Sequence, residues 1–525
     1  QLASGFADRL TIEGINGADN YLVTNPVGSS LVAVTDQNFG RTITAIGPSL
    51  AQLAIRTGDG TDLVTVDVGN TDVVGVPILF DGGNGSDRLV VQGTPATAAV
   101  SNVAYTPGSD DGAGRLLYTN AGGTLMNIEF QNLEPVTDLI LAATLTVNGT
   151  NADNAINYTQ GSVPANGLVS VDGFETMEFS NKTTLVLNGL AGDDEINLNN
   201  PTAPTGLTSI TVNGGDPTGS DTVIVNGTTG LDTVSFDQFT LDGAHITGLG
   251  PTINVATAEH LTYAGQGGWD RLTITMDGTA FGYAINVVPG ATENDASLRM
   301  VAFDQNDLLP FDYTGIGPLG QVTFADASAS KRIRLDLYGT EASDRFATGF
   351  RGGGVQVYDS TTFETVQFNT PGVSVLTMLG LGGDDVFDIN NGTPLVSAGS
   401  SIFVEGGDPS GSDTVNVTLS PGANTVQVTP SGANDKEQVL TGLPQRLTTT
   451  GVELIRVGGA GGDDTLVVAT GGGDDVARVD GPQTVLFDRV VSNALPEIQF
   501  GGLQTFRLDL GSGVDAATFV TANLF

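Results

Sequence analysis

The sequence predicts an all-β chain: a repetitive β-solenoid, a parallel β-helix-like rod, with tandem β-sandwich modules as the alternative. Three observations lead there: the composition, the short β-type runs, and a Gly/Asp motif that recurs along all 525 residues. Abundant Thr and Val, 73 Gly, 22 Pro and only three lysines (Lys182, Lys331, Lys436) disfavour long helices. Runs such as Leu185–Leu187, Ser209–Val212 and Thr222–Val225 are apolar, β-branched and bounded by Gly, Asn or Asp, as strands between tight turns are.

The motif reads GxxGxDxφ, with φ apolar. It occurs around Asp19 (GINGADNY), Asp62, Asp87 (GGNGSDRL), Asp194 (GLAGDDEI), Asp221, Asp232, Asp270, Asp344, Asp385 (GLGGDDVF), Asp413, Asp464, Asp475 and Asp515, with a looser copy near Asp153. Asp19 to Asp62 to Asp87 gives steps of 43 and 25, Asp153 to Asp194 to Asp221 steps of 41 and 27, and Asp344 to Asp385 to Asp413 steps of 41 and 28. Three related units follow: residues 1–135, residues 136–325 with a C-terminal insertion, and residues 326–525 with a C-terminal strand. Phe174–Phe179 (FETMEF) matches Phe363–Phe368 (FETVQF), and GGDPTGSDTVIV at Gly214 matches GGDPSGSDTVNV at Gly406.

A coil of about 20–28 residues is the expected common unit, one coil for the short steps and two for the long ones, with strands stacked about 4.8 Å apart. Taken literally, the array is on the order of 100 Å long. The 11-residue steps, Asp221 to Asp232 and Asp464 to Asp475, fit a half coil less comfortably and keep the sandwich reading open.

Gly supplies positive φ at a sharp turn, Asp bonds nearby backbone N–H groups, and the apolar residue re-enters the core. That account of the motif needs no ligand. A second account is calcium. GGNGSDRLV at Gly82–Val90 resembles the RTX nonapeptide GGxGxDxUx through Gly82, Gly83, Gly85, Asp87 and Leu89. The resemblance implies stacked turns that hold calcium through the Asp carboxylate and backbone carbonyls. The RTX family repeats its motif every nine residues, whereas these copies lie from 11 to over 70 residues apart, so its consecutive calcium ladder does not carry over. Six to eight oxygens would have to come from several coils. The candidate calcium ligands are Asp87, Asp221, Asp413 and the adjacent pairs Asp193 and Asp194, Asp384 and Asp385, Asp463 and Asp464, and Asp474 and Asp475. The same grammar is similar to long Gly/Asp-rich repeat proteins of bacterial cell surfaces, which implies export and a structural or adhesive role.

Charge and residue usage narrow the function classes. With 59 Asp and Glu against 19 Lys and Arg, the formal net charge is −40, which makes nucleic acid or an anionic membrane a poor partner. Absent cysteine excludes thiol catalysis and disulfide frameworks, and suits an extracellular setting. The first residue, Gln1, is read as a processed, secreted chain. No apolar stretch approaches the roughly 20 residues of a membrane-spanning helix.

Carboxylates that recur at equivalent places read as scaffolding, since a catalytic pair needs two unlike environments. His245 and His260 lie in no Ser/His/Asp signature, so no catalytic residue is assigned. A β-helix polysaccharide lyase or hydrolase ranks third, behind an adhesin or glycan-binding protein with Trp269 as contact. Lys331–Arg334 reads as a solvated strand face or a contact for an acidic neighbour, and Asn148, Asn226 and Asn391 open glycosylation sequons. The termini carry no polar cap, from which head-to-tail self-association into a homopolymer is expected. The leading expectation is a secreted structural subunit of a filament, sheath or surface layer.

Overall fold

The computed structural model describes residues 8–47, 50–216, 219–276, 280, 282–292, 294–303, 307–326, 333–350, 354–359, 366–369, 373–390, 401–407, 412–431, 437–480, 488–492 and 496–520. Among them there are strands and turns but no α-helix. Lys331, Arg332, the sequon Asn391–Thr393, and parts of the matching stretches at Phe363 and Gly406 lie outside the described residues.

The chain divides into two compact units, residues 1–227 with 242–263, and residues 228–241 with 264–525. These are drawn by packing and differ in kind from the three sequence repeats. Each unit is built as a β-solenoid from strands that alternate between two facing sheets. In the first unit, Leu50–Arg56 pairs parallel with Ile78–Asp81 (Leu53 opposite Ile78), and Leu63–Asp67 pairs parallel with Arg88–Gln92 (Val64 opposite Leu89). The offset of 25 residues is one plain coil. In the second unit Val386–Asn390, Thr414–Thr418, Leu454–Gly458 and Glu497–Gly501 stack parallel in one sheet, and Ile333–Tyr338, Val373–Leu381, Ser401–Gly407 and Arg446–Thr450 in the other. Parallel stacking one coil apart is solenoid pairing, and excludes a string of separate sandwiches within either unit.

The long steps are not two coils. Thr11 of Asp8–Glu13 pairs with Ala54 of Leu50–Arg56, so the 43-residue step closes a single coil. Its extra length adds two strands, Leu31–Asp36 and Arg41–Ile46, which continue the coil strand Asn20–Thr24 into a three-stranded antiparallel meander in one sheet, while Asn20–Thr24 keeps its parallel pairing with Leu63–Asp67. Similar inserts occupy Val100–Gln131 and Ala155–Phe179 in the first unit. Ala244–Thr247 and Thr252–Ala256 also pair antiparallel there, and Tyr283–Thr314, Asp344–Asn369, Thr425–Thr450 and Val476–Gly501 hold further inserts, in the second. Within each unit, successive inserts alternate between the two sheets, so neither sheet outgrows the other by more than one insert. The 11-residue steps are true half coils: Asp221 precedes Thr222–Asn226 in one sheet, and Asp464 and Asp475 precede Thr465–Ala469 and Val476–Asp480 in opposite sheets.

Strict alternation of buried and outward residues follows from the two-residue period of a strand. In Thr222–Asn226, Val223 and Val225 are buried; in Glu195–Asn199, Ile196 and Leu198 are. Aromatic rings fill wider sections, with Tyr105 stacked on Phe130 (centroids 6.3 Å apart) and Phe346 on Phe387 (4.9 Å). Outside this core, partly buried asparagines form a row of their own: Asn188 Nδ2 donates to Asn148 Oδ1 and Asn213 Nδ2 to Asn188 Oδ1, each at 2.8 Å.

Candidate functional site: the acidic ladders

The motif aspartates occupy the corners between sheets, and their side chains face inward. In the first unit Asp19 N–H donates to Asp62 Oδ1 (2.7 Å), Asp62 N–H to Asp87 Oδ1 (2.9 Å), and Asp87 N–H to Glu134 Oε2 (3.4 Å). A second row there runs from Asn154 N–H to Asp194 Oδ1 (2.8 Å), Asp194 N–H to Asp221 Oδ1 (2.9 Å) and Asp221 N–H to Glu259 Oε2 (2.8 Å). The second unit repeats the scheme through Asp344, Asp385, Asp413 and Glu453 at 2.7, 2.8 and 2.9 Å. Asn424, Asp464 and Gln504 follow at 3.0 and 2.6 Å, then Asp475 and Asp515 at 3.0 Å. Asp232 N–H donates to Asp270 Oδ1 (2.9 Å), and that row closes on a backbone carbonyl, Ile316 O, which accepts from Asp270 N–H at 3.0 Å.

Each rung also joins coils through its carbonyl: Leu63 N–H donates to Asp19 O, Thr222 N–H to Asp194 O, and Thr414 N–H to Asp385 O, at 2.8–2.9 Å. A rung therefore makes two bonds to the next coil and fixes its register. Rows open at the corner that leads into an insert (Asp19, Asn154, Asp232, Asp344, Asn424, Asp475). Glu134, Glu453 and Gln504 close theirs at the corner that leaves one.

Two glycines make this geometry fit. A Cβ on Gly189 would lie 2.2 Å from Asp194 Oδ2 and 2.3 Å from Gly214 O; on Gly380 it would lie 2.1 Å from Asp385 Oδ2 and 2.4 Å from Gly406 O. The carboxyl thus packs directly over the glycine five residues before it. The second motif glycine takes positive φ, +122° at Gly192 and +102° at Gly383, where a side chain is strained. At Asp62 the first of these positions is Thr57, which is buried and donates through Oγ1 to Gly82 O at 2.8 Å.

Six interior rungs have one oxygen in use: among the described residues, no donor reaches the buried Oδ2 of Asp62, Asp87, Asp194, Asp221, Asp385 or Asp464. Burial pushes the carboxyls of Asp87 and Asp194 up to about 6 and that of Asp385 up to about 7, and raises Asp221; N–H groups of the preceding coil pull the other way, and neighbouring acids add to the rise.

The adjacent aspartates do not converge on one point. The second of each pair (Asp194, Asp385, Asp464, Asp475) is buried, whereas the first (Asp193, Asp384, Asp463, Asp474) is exposed, as neighbours on an extended chain must be. The outer row has its own bonds, of opposite polarity: Ser220 N–H donates to Asp193 Oδ1 (2.9 Å), Ser412 N–H to Asp384 Oδ1 (2.9 Å) and Val514 N–H to Asp474 Oδ1 (2.8 Å). An Asp pair is therefore a double staple, its inner member bound to the preceding coil and its outer member to the following one. The two carboxyls of a pair thus face apart, and among the described residues no three His, Cys, Asp or Glu side chains gather in one place.

Glu134, Glu259, Glu453 and Gln504 fall outside the GxxGxD pattern: Glu453 and Gln504 have a glycine two residues before them (Gly451, Gly502) but none five before, and Glu134 and Glu259 have neither. Their signal is an apolar residue, then Glu or Gln, then any residue and an apolar one: Leu133-Glu134-Pro135-Val136, Ala258-Glu259-His260-Leu261, Val452-Glu453-Leu454-Ile455 and Leu503-Gln504-Thr505-Phe506. Also unforeseen is the wholly buried pair Lys182 and Asp138, with Nζ 3.3 Å from Oδ1. Nζ also donates to Ile140 O (2.7 Å) and Ser180 O (2.9 Å), so all three ammonium protons are used.

The remaining candidates are scattered. Trp269 is 60% exposed. His260 is half-buried and gives its backbone N–H to Asp221 O, and His245 sits in Ala244–Thr247. Arg334 pairs with Asp336 at 2.9 Å. The sequon asparagines Asn148 and Asn226 use Nδ2 within the sheet, toward Tyr105 O and Asn197 Oδ1. No helix of the described residues is long and apolar enough to cross a membrane. No known family model matches this chain. No curated protein matches it either.

Proposed function

We propose that the chain is a secreted structural subunit of an extracellular filament, sheath or surface layer, without an enzymatic role. The observation that supports this best is the ladder: in coil after coil the equivalent acid makes the same coil-joining bond, so the chemistry of these side chains is directed at rigidity. Catalytic acids instead need surroundings that set two partners apart.

Assembly is read from strand edges. Among the described residues, Ala516–Phe519 pairs only with Val476–Asp480, and Val514 and Phe519 are 82% and 57% exposed. Arg41–Ile46 pairs only with Leu31–Asp36 and exposes Ile43 and Ile46. Such edges accept a further strand, and we assign them to head-to-tail contacts between copies. Calcium, in this proposal, acts on the outer row of exposed Asp153, Asp193, Asp384, Asp463 and Asp474. Electron microscopy of the purified chain, with calcium and with a chelator, tests both parts. Filaments or sheets that loosen on chelation are expected; dispersed monomers under both conditions refute assembly, and assemblies indifferent to chelator refute calcium. A second reading, a glycan-binding adhesin, is favoured by exposed Trp269, and a glycan-array signal abolished by Trp269→Ala would support it.

A further inference from the structure

Lysine is among the residues least often fully buried, yet Lys182 is 1% exposed and stands beside Asp138, at 0%. Lys182 begins Lys182–Leu190, and Asp138 ends Val136–Asp138, a strand buried along its whole length. Nζ lies 3.3 Å from Asp138 Oδ1, so Cγ, bonded to that oxygen, is within reach. Two charges in such an interior carry a heavy desolvation cost. Burial drives the ammonium pKa down and the carboxyl pKa up, each toward its uncharged form, while their mutual attraction opposes both shifts.

The contacts around the pair also suit a reaction between the uncharged forms. Ile140 O and Ser180 O accept from Nζ at 2.7 and 2.9 Å, which accounts for both hydrogens of a neutral amine and leaves its lone pair for the third direction, where Asp138 stands. Asp138 Oδ1 is held by Ile140 N–H at 2.9 Å, a donor placed for the negative charge that this oxygen gathers when its carbon is attacked. Oδ2 and the Tyr118 hydroxyl are both buried without a hydrogen-bond partner among the described residues, and that hydroxyl is close enough to feel the carboxyl charge. Phe179, opposite Asp138 in the sheet, and Ile140 are fully buried too, so water is kept out.

We propose that Lys182 and Asp138 join through an amide bond, an intramolecular cross-link that the folded chain forms by itself. Nζ forms a bond to Cγ, the Cγ–Oδ2 bond breaks, and Oδ2 leaves as water with the acid's own proton and one from Nζ, passed by way of the Tyr118 hydroxyl. Oδ1 stays as the amide oxygen on Ile140 N–H, and the remaining hydrogen on Nζ keeps one of the two carbonyls. Atoms and charge balance, and nothing is oxidised or reduced. In water an acid and an amine ionise rather than condense; here the fold holds them in contact and burial opposes ionisation. The link ties residues 44 apart and encloses the antiparallel insert Ala155–Phe179, so a pull along the chain cannot draw that insert out. This goes beyond the structural role and depends neither on assembly nor on calcium.

Removing either partner leaves the other buried alone, so stability does not tell a linked pair from an ionic one, and covalent mass does. The full chain, folded and then fully denatured, should weigh one water less than its sequence, and a protease that cuts after lysine should leave the Lys182–Thr183 bond whole. Lys182→Arg should not show this loss, which separates the water from any lost elsewhere in the chain. Asp138→Ala, in which Lys182 stays free, should be cut after Lys182 whether or not it folds. A wild type of full sequence mass holds a plain buried ion pair and overturns the proposal. So does a missing water in a chain that is still cut after Lys182.

Discussion

Gly189→Ala isolates the packing on which the ladder depends. Gly189 has an ordinary φ, so alanine meets no backbone strain there, only its neighbours. Its Cβ would stand 2.2 Å from Asp194 Oδ2 and 2.3 Å from Gly214 O, against a floor of 3.0 Å for real contacts, so the two oxygens must retreat by 0.8 and 0.7 Å (3.0 − 2.2 and 3.0 − 2.3). Gly214 O belongs to Ser209–Gly215, whose register with Lys182–Leu190 is fixed. Asp194 cannot swing away without leaving Asn154 N–H, which it holds at 2.8 Å. Overpacking costs roughly 1–3 kcal/mol and a buried donor left unpaired about 1–3 more, so a loss of about 3 kcal/mol is expected. In a unit of this size that is a fall of roughly 6–12 °C in Tm, followed by circular dichroism. Gly75→Ala is the control: nothing lies within 4 Å of its added Cβ, and its φ is ordinary. The decisive comparison adds Asp194→Ala to Gly189→Ala. With Oδ2 gone much of the clash is relieved, and the two losses should be less than additive. Equal melting of Gly189→Ala and Gly75→Ala, or additive losses in the double variant, would refute the packing argument.

Two further outcomes follow from single contacts. Lys182→Met leaves Asp138 buried without its cation and should cost about 3–5 kcal/mol in denaturant unfolding, much of it recovered when Asp138→Leu is added. Glu259→Gln keeps an acceptor for Asp221 N–H and should unfold within about 0.5 kcal/mol of wild type, whereas Glu259→Ala orphans that donor and should cost about 1–3 kcal/mol.

The corners were legible in the sequence because they are chemically local. Gly at two fixed places and Asp after them encode a turn wherever they occur, and the apolar residue beyond Asp194 or Asp385, Ile196 or Phe387, marks the strand that re-enters the core. The inserts were not legible, because a strand such as Gly114–Asn120 alternates with the same two-residue period as any coil strand. Parallel or antiparallel pairing is decided by which strand lies alongside, and no residue in those segments states that. Hence 43 residues could be counted as two coils when they close one. Lys182 was hidden for a related reason: a lone lysine at the start of a strand reads as a surface residue until Asp138 and Ile140 O arrive from more than 40 residues away. The Asp pairs showed which residues matter but not their division of labour, since opposite facing becomes visible only once the corner is known to be extended.

The choice of Asp, Asn, Glu or Gln at a rung follows position in the row. Opening rungs bond their own turn: Asp19 Oδ2 accepts from Ile15 N–H (2.8 Å), Asn154 Oδ1 from Thr150 N–H (2.7 Å) and Asp232 Oδ2 from Thr228 N–H (2.6 Å). One acceptor suffices there, and an amide nitrogen finds its own partner, as Asn154 Nδ2 does at Asp172 Oδ2 (2.7 Å). At interior rungs such as Asp194 and Asp385 the second oxygen packs against the glycine five residues before, beside a carbonyl of the next coil. Closing rungs come from a chain leaving an insert and lack the glycine five residues before the acid, and there the longer Glu or Gln supplies the acceptor. The ladder thus specifies an acceptor at its rungs, and Gln504 shows that this acceptor need not carry a charge.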